Sequence, residues 1–187
     1  MITKNFIKNN VFKYRIEDNI TIPIEHIYEK RWEYDKNKKS IRNGMQSEGF
    51  EIVSQKVEPV VNKIKQIVNE NHLQSLHDVG FFYWFNINPK GGFNNIHTHN
   101  IPDMWLSQIS ILSGVYYISV PVDSKSNINF YTDAEEKIPF NVNNGDLLIF
   151  DPDLPHNVDT NQSDDDRISM AFNFFVDNQS KKNTTLI

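Results

Sequence analysis

Cysteine is missing from the 187 residues. Its absence excludes a disulfide framework, thiolate metal sites, and cysteine nucleophiles or redox pairs. Any metal must therefore be held by nitrogen and oxygen donors, which suit iron, manganese, nickel or zinc without choosing among them. The positive stripe of a nucleic-acid binder is also lacking. Net charge is −5, and the basic clusters Lys30-Arg31 and Lys36 to Arg42 are short and read as solvated, so nucleic acid is not an expected partner. No run approaches the roughly 18 apolar residues of a membrane span. The first residues have no apolar signal-peptide core. The expectation is a soluble, cytoplasmic protein with no membrane partner.

What is present fits one domain over 1–187. Folding at this length buries roughly 70% of the extended chain's surface, enough for a core without staples. Aromatic residues make up 12% and lean toward strands. Within 1–78, read as a partly helical support, Ile24 to Trp32 could make a helical turn or two. Residues 36–49 are polar, contain Gly44 and Gly49, and read as a loop. From Val57 to His72, apolar Val57, Val60, Val61, Ile64, Ile67 and Val68 recur mostly at three- and four-residue steps. That spacing predicts an amphipathic helix with Pro59 in its first turn.

After about residue 78 the period changes to two. Val79 to Asn88 reads as a strand ending at the turn Pro89-Lys90-Gly91-Gly92. Ser107 to Val120 holds one or two strands. Ile128 to Thr132, Ile138 to Val142, Gly145 to Phe150 and Ile168 to Val176 follow. Many short strands between Asn, Asp, Gly and Pro turns argue for a mainly β sandwich or barrel over 79–177. Residues 178–187 read as a polar tail.

Three of the six histidines stand where a β fold could gather them. His97 and His99 are two apart, so on a strand both would leave one face. His156 ends the segment G-D-L-L-I-F-D-P-D-L-P-H, read as a buried strand, a Pro-bounded turn and an imidazole. Three neutral imidazoles could occupy one face of a metal and leave the opposite face open. His26, His72 and His77 lack such a setting and read as surface or structural.

Arg167 opens R-I-S-M-A-F-N-F-F. On a strand it shares one face with Ser169, Ala171 and Asn173, while Ile168, Met170, Phe172 and Phe174 share the other. An inward guanidinium needs an anion, and a carboxylate matches its planar fork. The plainer alternative is a strand-end arginine paired with Asp164, Asp165 or Asp166.

Taken in order, N-G-M-Q-S at 43–47, H-T-H at 97–99, L-S-G-V-Y-Y at 112–117, G-D-L-L-I-F at 145–150, P-H at 155–156 and R-I-S-M-A-F-N at 167–173 carry a resemblance. Residues 43 to 176 resemble a 2-oxoglutarate–iron(II) oxygenase family found in marine bacteria and their phages. The resemblance implies a double-stranded β-helix of the jelly-roll type. It implies iron(II) held by His97, His99 and His156, and 2-oxoglutarate held by Arg167 and Ser169. Tyr117 resembles a strand tyrosine that hydrogen-bonds the cosubstrate in prolyl hydroxylases, although a core aromatic in that strand reads equally well. The implied enzyme is a dioxygenase that hydroxylates an unidentified prime substrate.

Two features depart from the pattern. The wider superfamily usually places a carboxylate two residues after the first histidine, where this chain has His99. The segment from Asn100 to Ile111 is also long, and its Asp103 is an alternative second ligand. A rival class stays open: a cupin-type metalloprotein that does not use 2-oxoglutarate, for which Arg167 would have no task. A jelly roll without chemistry is the third reading.

Overall fold

The period-two alternation is realised as strands in the computed structural model, which describes residues 11–29, 32–33, 40–73, 75–99, 108–131 and 135–177. In chain order the strands are β1 (Phe12–Arg15), β2 (Trp32–Glu33), β3 (Ile41–Arg42), β4 (Met45–Ser47), β5 (Gly80–Asn88) and β6 (Phe93–His97). Then come β7 (Gln108–Ser119), β8 (Ile128–Tyr131), β9 (Lys137–Phe140), β10 (Asp146–Phe150), β11 (His156–Val158) and β12 (Arg167–Asp177). The helices are α1 (Ile24–Tyr28) and α2 (Glu58–Asn71).

These strands make two antiparallel sheets. The larger runs β1-β10-β7-β12-β5-β4-β2 and the smaller β3-β6-β11-β8-β9. Strand β12 explains why they face each other. Its Ile168, Met170, Phe172 and Phe174 are buried in one apolar cluster with Val60, Val61, Ile64, Ile67 and Val68 of α2. The helix stripe therefore covers the outer face of the larger sheet, at the three- and four-residue spacing expected of it. Pro59 lies in the first turn of α2, where its missing N–H leaves no ladder bond unmade.

A second apolar cluster lies between the sheets. The larger sheet contributes Val115, Tyr117, Leu148, Phe150 and Ala171, and the smaller contributes Ile128, Phe130, Phe140 and Val158. Two facing antiparallel sheets with a filled interior form a double-stranded β-helix, covered on one side by α2. At Gly145, which opens β10, φ is +80°. A side chain is strained in that left-handed turn, and its Cβ would lie 3.1 Å from the Ile16 carbonyl oxygen.

The sequence reading needs correction at several elements. Within 36–49, expected to be a loop, β3 pairs with β6 in the smaller sheet and β4 pairs with β5 in the larger. Asn43, at φ 52°, lies between them. Strands of two or three residues are too short to show a period, so only their partners reveal them. Ser107 to Val120 holds one strand, and Ser107 itself is outside the described residues. The 178–187 tail is outside them as well. No described helix is long and apolar enough to cross a membrane.

Candidate metal centre and cosubstrate pocket

In the smaller sheet β6 and β11 are neighbours, and His97 lies directly opposite His156 in their register. Their ring centroids are 4.3 Å apart. His99 reaches the same place by a different route from the one expected. Strand β6 ends at His97, so strand alternation does not carry the second imidazole. Instead the His99 N–H donates to the Pro152 carbonyl at 2.8 Å. That bond ties the end of the H-T-H segment to the turn before His156. The His99 ring centroid then lies 4.8 Å from that of His156 and 5.6 Å from that of His97. One ligand atom from each of the three lies within 4.8 Å of the others. Imidazole–metal bonds of ~2.1 Å let two nitrogens up to about 4.2 Å apart share one ion, so the widest separation closes with a small ring rotation.

Each ring has its Nδ1 occupied. His97 Nδ1 bonds the Asn95 carbonyl at 2.8 Å, and His156 Nδ1 bonds the Leu154 carbonyl at 2.9 Å. A carbonyl only accepts, so both Nδ1 atoms carry the proton and each Nε2 keeps its lone pair. His99 Nδ1 bonds the Asn173 side-chain oxygen at 3.0 Å. Outer partners of this kind fix the tautomer and aim of a metal-binding imidazole.

His99 and His156 are 6% and 2% exposed. Burial pushes the His99 pKa down to about 3, with the neighbouring His97 acting in the same direction. Burial lowers His97, and it pulls His156 well below the ordinary histidine value. All three are therefore neutral at physiological pH, as ligands must be. The same shifts set a pH dependence. Below about 6.5 the unfolded chain binds protons that the folded, metal-free site resists, so acid favours unfolding. The stability is complete above about pH 6.5 and is lost progressively as pH falls toward 3. Thermal melts of the metal-free protein should show a falling Tm from pH 7 to 5, steeper than in His99→Asn. Equal slopes would count against a neutral buried His99.

Arg167 lines the same interior. It is 1% exposed, yet its Nε and Nη2 have no hydrogen-bond partner. The surface pairing considered from sequence does not occur. Asp164 pairs with Lys90 at 2.7 Å, and Asp166 accepts from the Tyr28 hydroxyl. The guanidinium carbon lies 5.0 Å from the Tyr117 ring centre, and the buried Tyr117 hydroxyl is near enough to act on the Arg167 pKa but makes no hydrogen bond of good geometry. Burial lowers the Arg167 pKa and raises that of Tyr117 to about 12, with each group's presence opposing the other's shift. Ser169, one inward position along β12, stands opposite Tyr117 of β7 and Asn86 of β5.

The three imidazoles, Arg167, Ser169 and Tyr117 line one pocket. Trp84, Asn86, Asn94 and Ser40 also line it, and no described lining residue is acidic. None of these four was singled out in the sequence. Alternation along β5 was the available signal, since Trp84, Asn86 and Asn88 are the inward counterparts of core Tyr83, Phe85 and Ile87. Asp103 lies outside the described residues. His26, His72 and His77 do not line the pocket. Their ring nitrogens bond Ser54, Tyr14 and Asp78 respectively.

An imidazole trio and a buried guanidinium lining one interior of a double-stranded β-helix accord with the class of iron(II)- and 2-oxoglutarate-dependent oxygenases. Residues 82–173 match the family described as "Putative 2OG-Fe(II) oxygenase", and that segment contains all six residues named from sequence. The family requires a small-molecule cosubstrate and a prime substrate. A Pseudomonas putida prolyl-4-hydroxylase is similar in structure, with 14% identity, a TM-score of 0.65, and coverage of 90% of this chain and 94% of that one. The carbocyclase SnoK of nogalamycin biosynthesis superposes at TM-score 0.63 and 12% identity over 94% of this chain and 87% of its own. HygX from Streptomyces hygroscopicus, solved with nickel and 2-oxoglutarate bound, gives 0.61 and 10% over 90% and 83%. At these identities the likeness establishes the fold. No curated protein matches the chain in sequence.

Proposed function

We infer that His97, His99 and His156 hold iron(II), and that Arg167, Ser169 and Tyr117 hold 2-oxoglutarate, for hydroxylation of a prime substrate at the pocket mouth. One observation carries this reading: a buried Arg167 with two unpartnered N–H donors in the pocket that the imidazoles line. An isolated buried cation is costly, and a carboxylate that fills its fork removes the cost. A cupin-type protein without 2-oxoglutarate would leave that cost standing.

The donor set fits the group. Three neutral Nε2 atoms suit iron(II), and their Nδ1 bonds hold them in place before metal arrives. When bound, iron(II) with 2-oxoglutarate and oxygen supplies oxidation of an unactivated C–H bond, releasing succinate and carbon dioxide. The chain's own residues orient and shield. Arg167 grips the distal carboxylate, and the Ser169 and Tyr117 hydroxyls are placed to donate to it. Phe150, with its ring centroid 4.9 Å from that of His156, and Trp84, 5.3 Å from His99, keep water from the ligands' flanks. With no acidic ligand among the described residues, the site is more positive than one bearing a carboxylate, which favours a dianionic cosubstrate.

The reading extends to a single domain over 1–187 that is soluble and cytoplasmic. The net charge of −5 supports a prime substrate other than bulk nucleic acid. The test is anaerobic addition of 2-oxoglutarate to the iron(II)-loaded protein. A visible absorption band should appear only with both present. No band, with iron bound stoichiometrically, would return the protein to the cupin class.

A further inference from the structure

The three imidazoles are not held alike. His97 and His156 each bond a carbonyl two residues upstream in their own segment, at Asn95 and Leu154. His99, beyond the end of β6, takes its acceptor from another strand. That acceptor is the Asn173 side-chain oxygen, 74 residues away in sequence. The Ser113 hydroxyl donates to the same oxygen at 2.7 Å. In register, Asn173 of β12 stands between Ser113 of β7 and Phe82 of β5. Ser113 is fully buried, so its donor has no water to turn to. With His99 Nε2 kept free as the ligand atom, its Nδ1 carries the proton, and the Asn173 amide oxygen is then the acceptor that both His99 and Ser113 share.

We propose that Asn173, locked by Ser113, is a positioning residue that aims the His99 Nε2 at the metal. The proposal rests on the reading of His99 as a ligand. Its logic is economical in chemistry. His99 is the one imidazole of the three whose ring is not braced by its own segment, so without Asn173 it can rotate or take the other tautomer. An amide supplies the acceptor without placing a second uncompensated charge in the buried interior. Strand β12 then does two jobs on one face, with the cosubstrate anchors Arg167 and Ser169 at its start and the His99 brace four residues beyond Ser169.

The experiment is anaerobic titration of metal-free full-length protein with cobalt(II), reading both affinity and the visible ligand-field spectrum. Wild type, His99→Ala, Asn173→Leu and Asn173→Asp are compared. Asn173→Leu should weaken binding about 10- to 100-fold, the usual effect of losing an outer partner, and should change the spectrum. Asn173→Asp keeps an acceptor and should restore both to within about threefold of wild type. A merely structural asparagine would not show this rescue by a carboxylate. Wild-type affinity and spectrum in Asn173→Leu, with binding weakened in His99→Ala, would overturn the brace and leave the ligand assignment standing. Undiminished binding in His99→Ala would overturn the ligand assignment and the brace together. Nitrogen-15 spectra of histidine-labelled wild type give a readout that needs no variant to fold. His99 should carry its proton on Nδ1, and the Nε2–H tautomer would refute the proposal.

Discussion

Arg167→Ala is expected to weaken 2-oxoglutarate binding by about 100-fold or more while leaving metal affinity within about twofold. Truncating one partner of a buried, hydrogen-bonded charge pair typically costs about 2–5 kcal/mol, and each 1.4 kcal/mol is tenfold in Kd. The metal should not notice, because Arg167 is outside the imidazole trio that would hold it, and the guanidinium carbon lies 5.0 Å from the centre of the neutral Tyr117 ring. Arg167→Lys keeps the charge and loses the planar fork, so its affinity should fall between the two.

The same residue makes a stability prediction of opposite sign. A guanidinium with 1% exposure and unpartnered Nε and Nη2 burdens the ligand-free fold. Arg167→Met should therefore match or exceed wild type in Tm without cosubstrate. With 2-oxoglutarate at about 100 times Kd, wild type should gain about 2.7 kcal/mol and the variant almost nothing. Isothermal titration and thermal melts measure both arms. If Arg167→Ala binds 2-oxoglutarate as wild type does, the cosubstrate assignment is lost.

His156→Ala is expected to reduce metal affinity more than any outer-partner change, by well over the roughly 100-fold such changes reach. Its ring is central to the trio, with centroids 4.3 Å from that of His97 and 4.8 Å from that of His99. It also packs against Phe130 and Phe150, so the alanine variant leaves a cavity and loses stability. His156→Gln, which fills more of that space, separates the effects: stability should recover while metal affinity should not. Stoichiometric iron(II) binding in either folded variant would remove His156 from the ligand set.

Much of the core could be read along the chain because its periods are local. The stripe Val60, Val61, Ile64, Ile67, Val68 needs only the 3.6-residue turn to be recognised. The alternation of β12 sorted Ile168, Met170 and Phe172 from Arg167, Ser169 and Ala171, and the two groups do lie in the α2 cluster and in the pocket lining. Strands β1, β2, β3, β4 and β11 escaped notice, since two to four residues carry little or no period, and Trp32, expected in a helical turn, lies in β2. The role of Asn173 escaped for another reason. Its inward face was legible, but the imidazole it meets lies 74 residues away.

Residue types and their order determined the menu: no thiolate donor, three imidazoles in H-T-H and P-H, and an arginine on the polar face of an apolar strand. Tertiary structure decided the meeting. The Pro152 carbonyl, not strand alternation, brings His99 to its partners. Closure of the two sheets buries Arg167 beyond the reach of Asp164 and Asp166. The physical reason is range. Side-chain periodicity acts over one turn or one pleat, whereas hydrogen-bond satisfaction and desolvation are settled only when distant segments share the same interior.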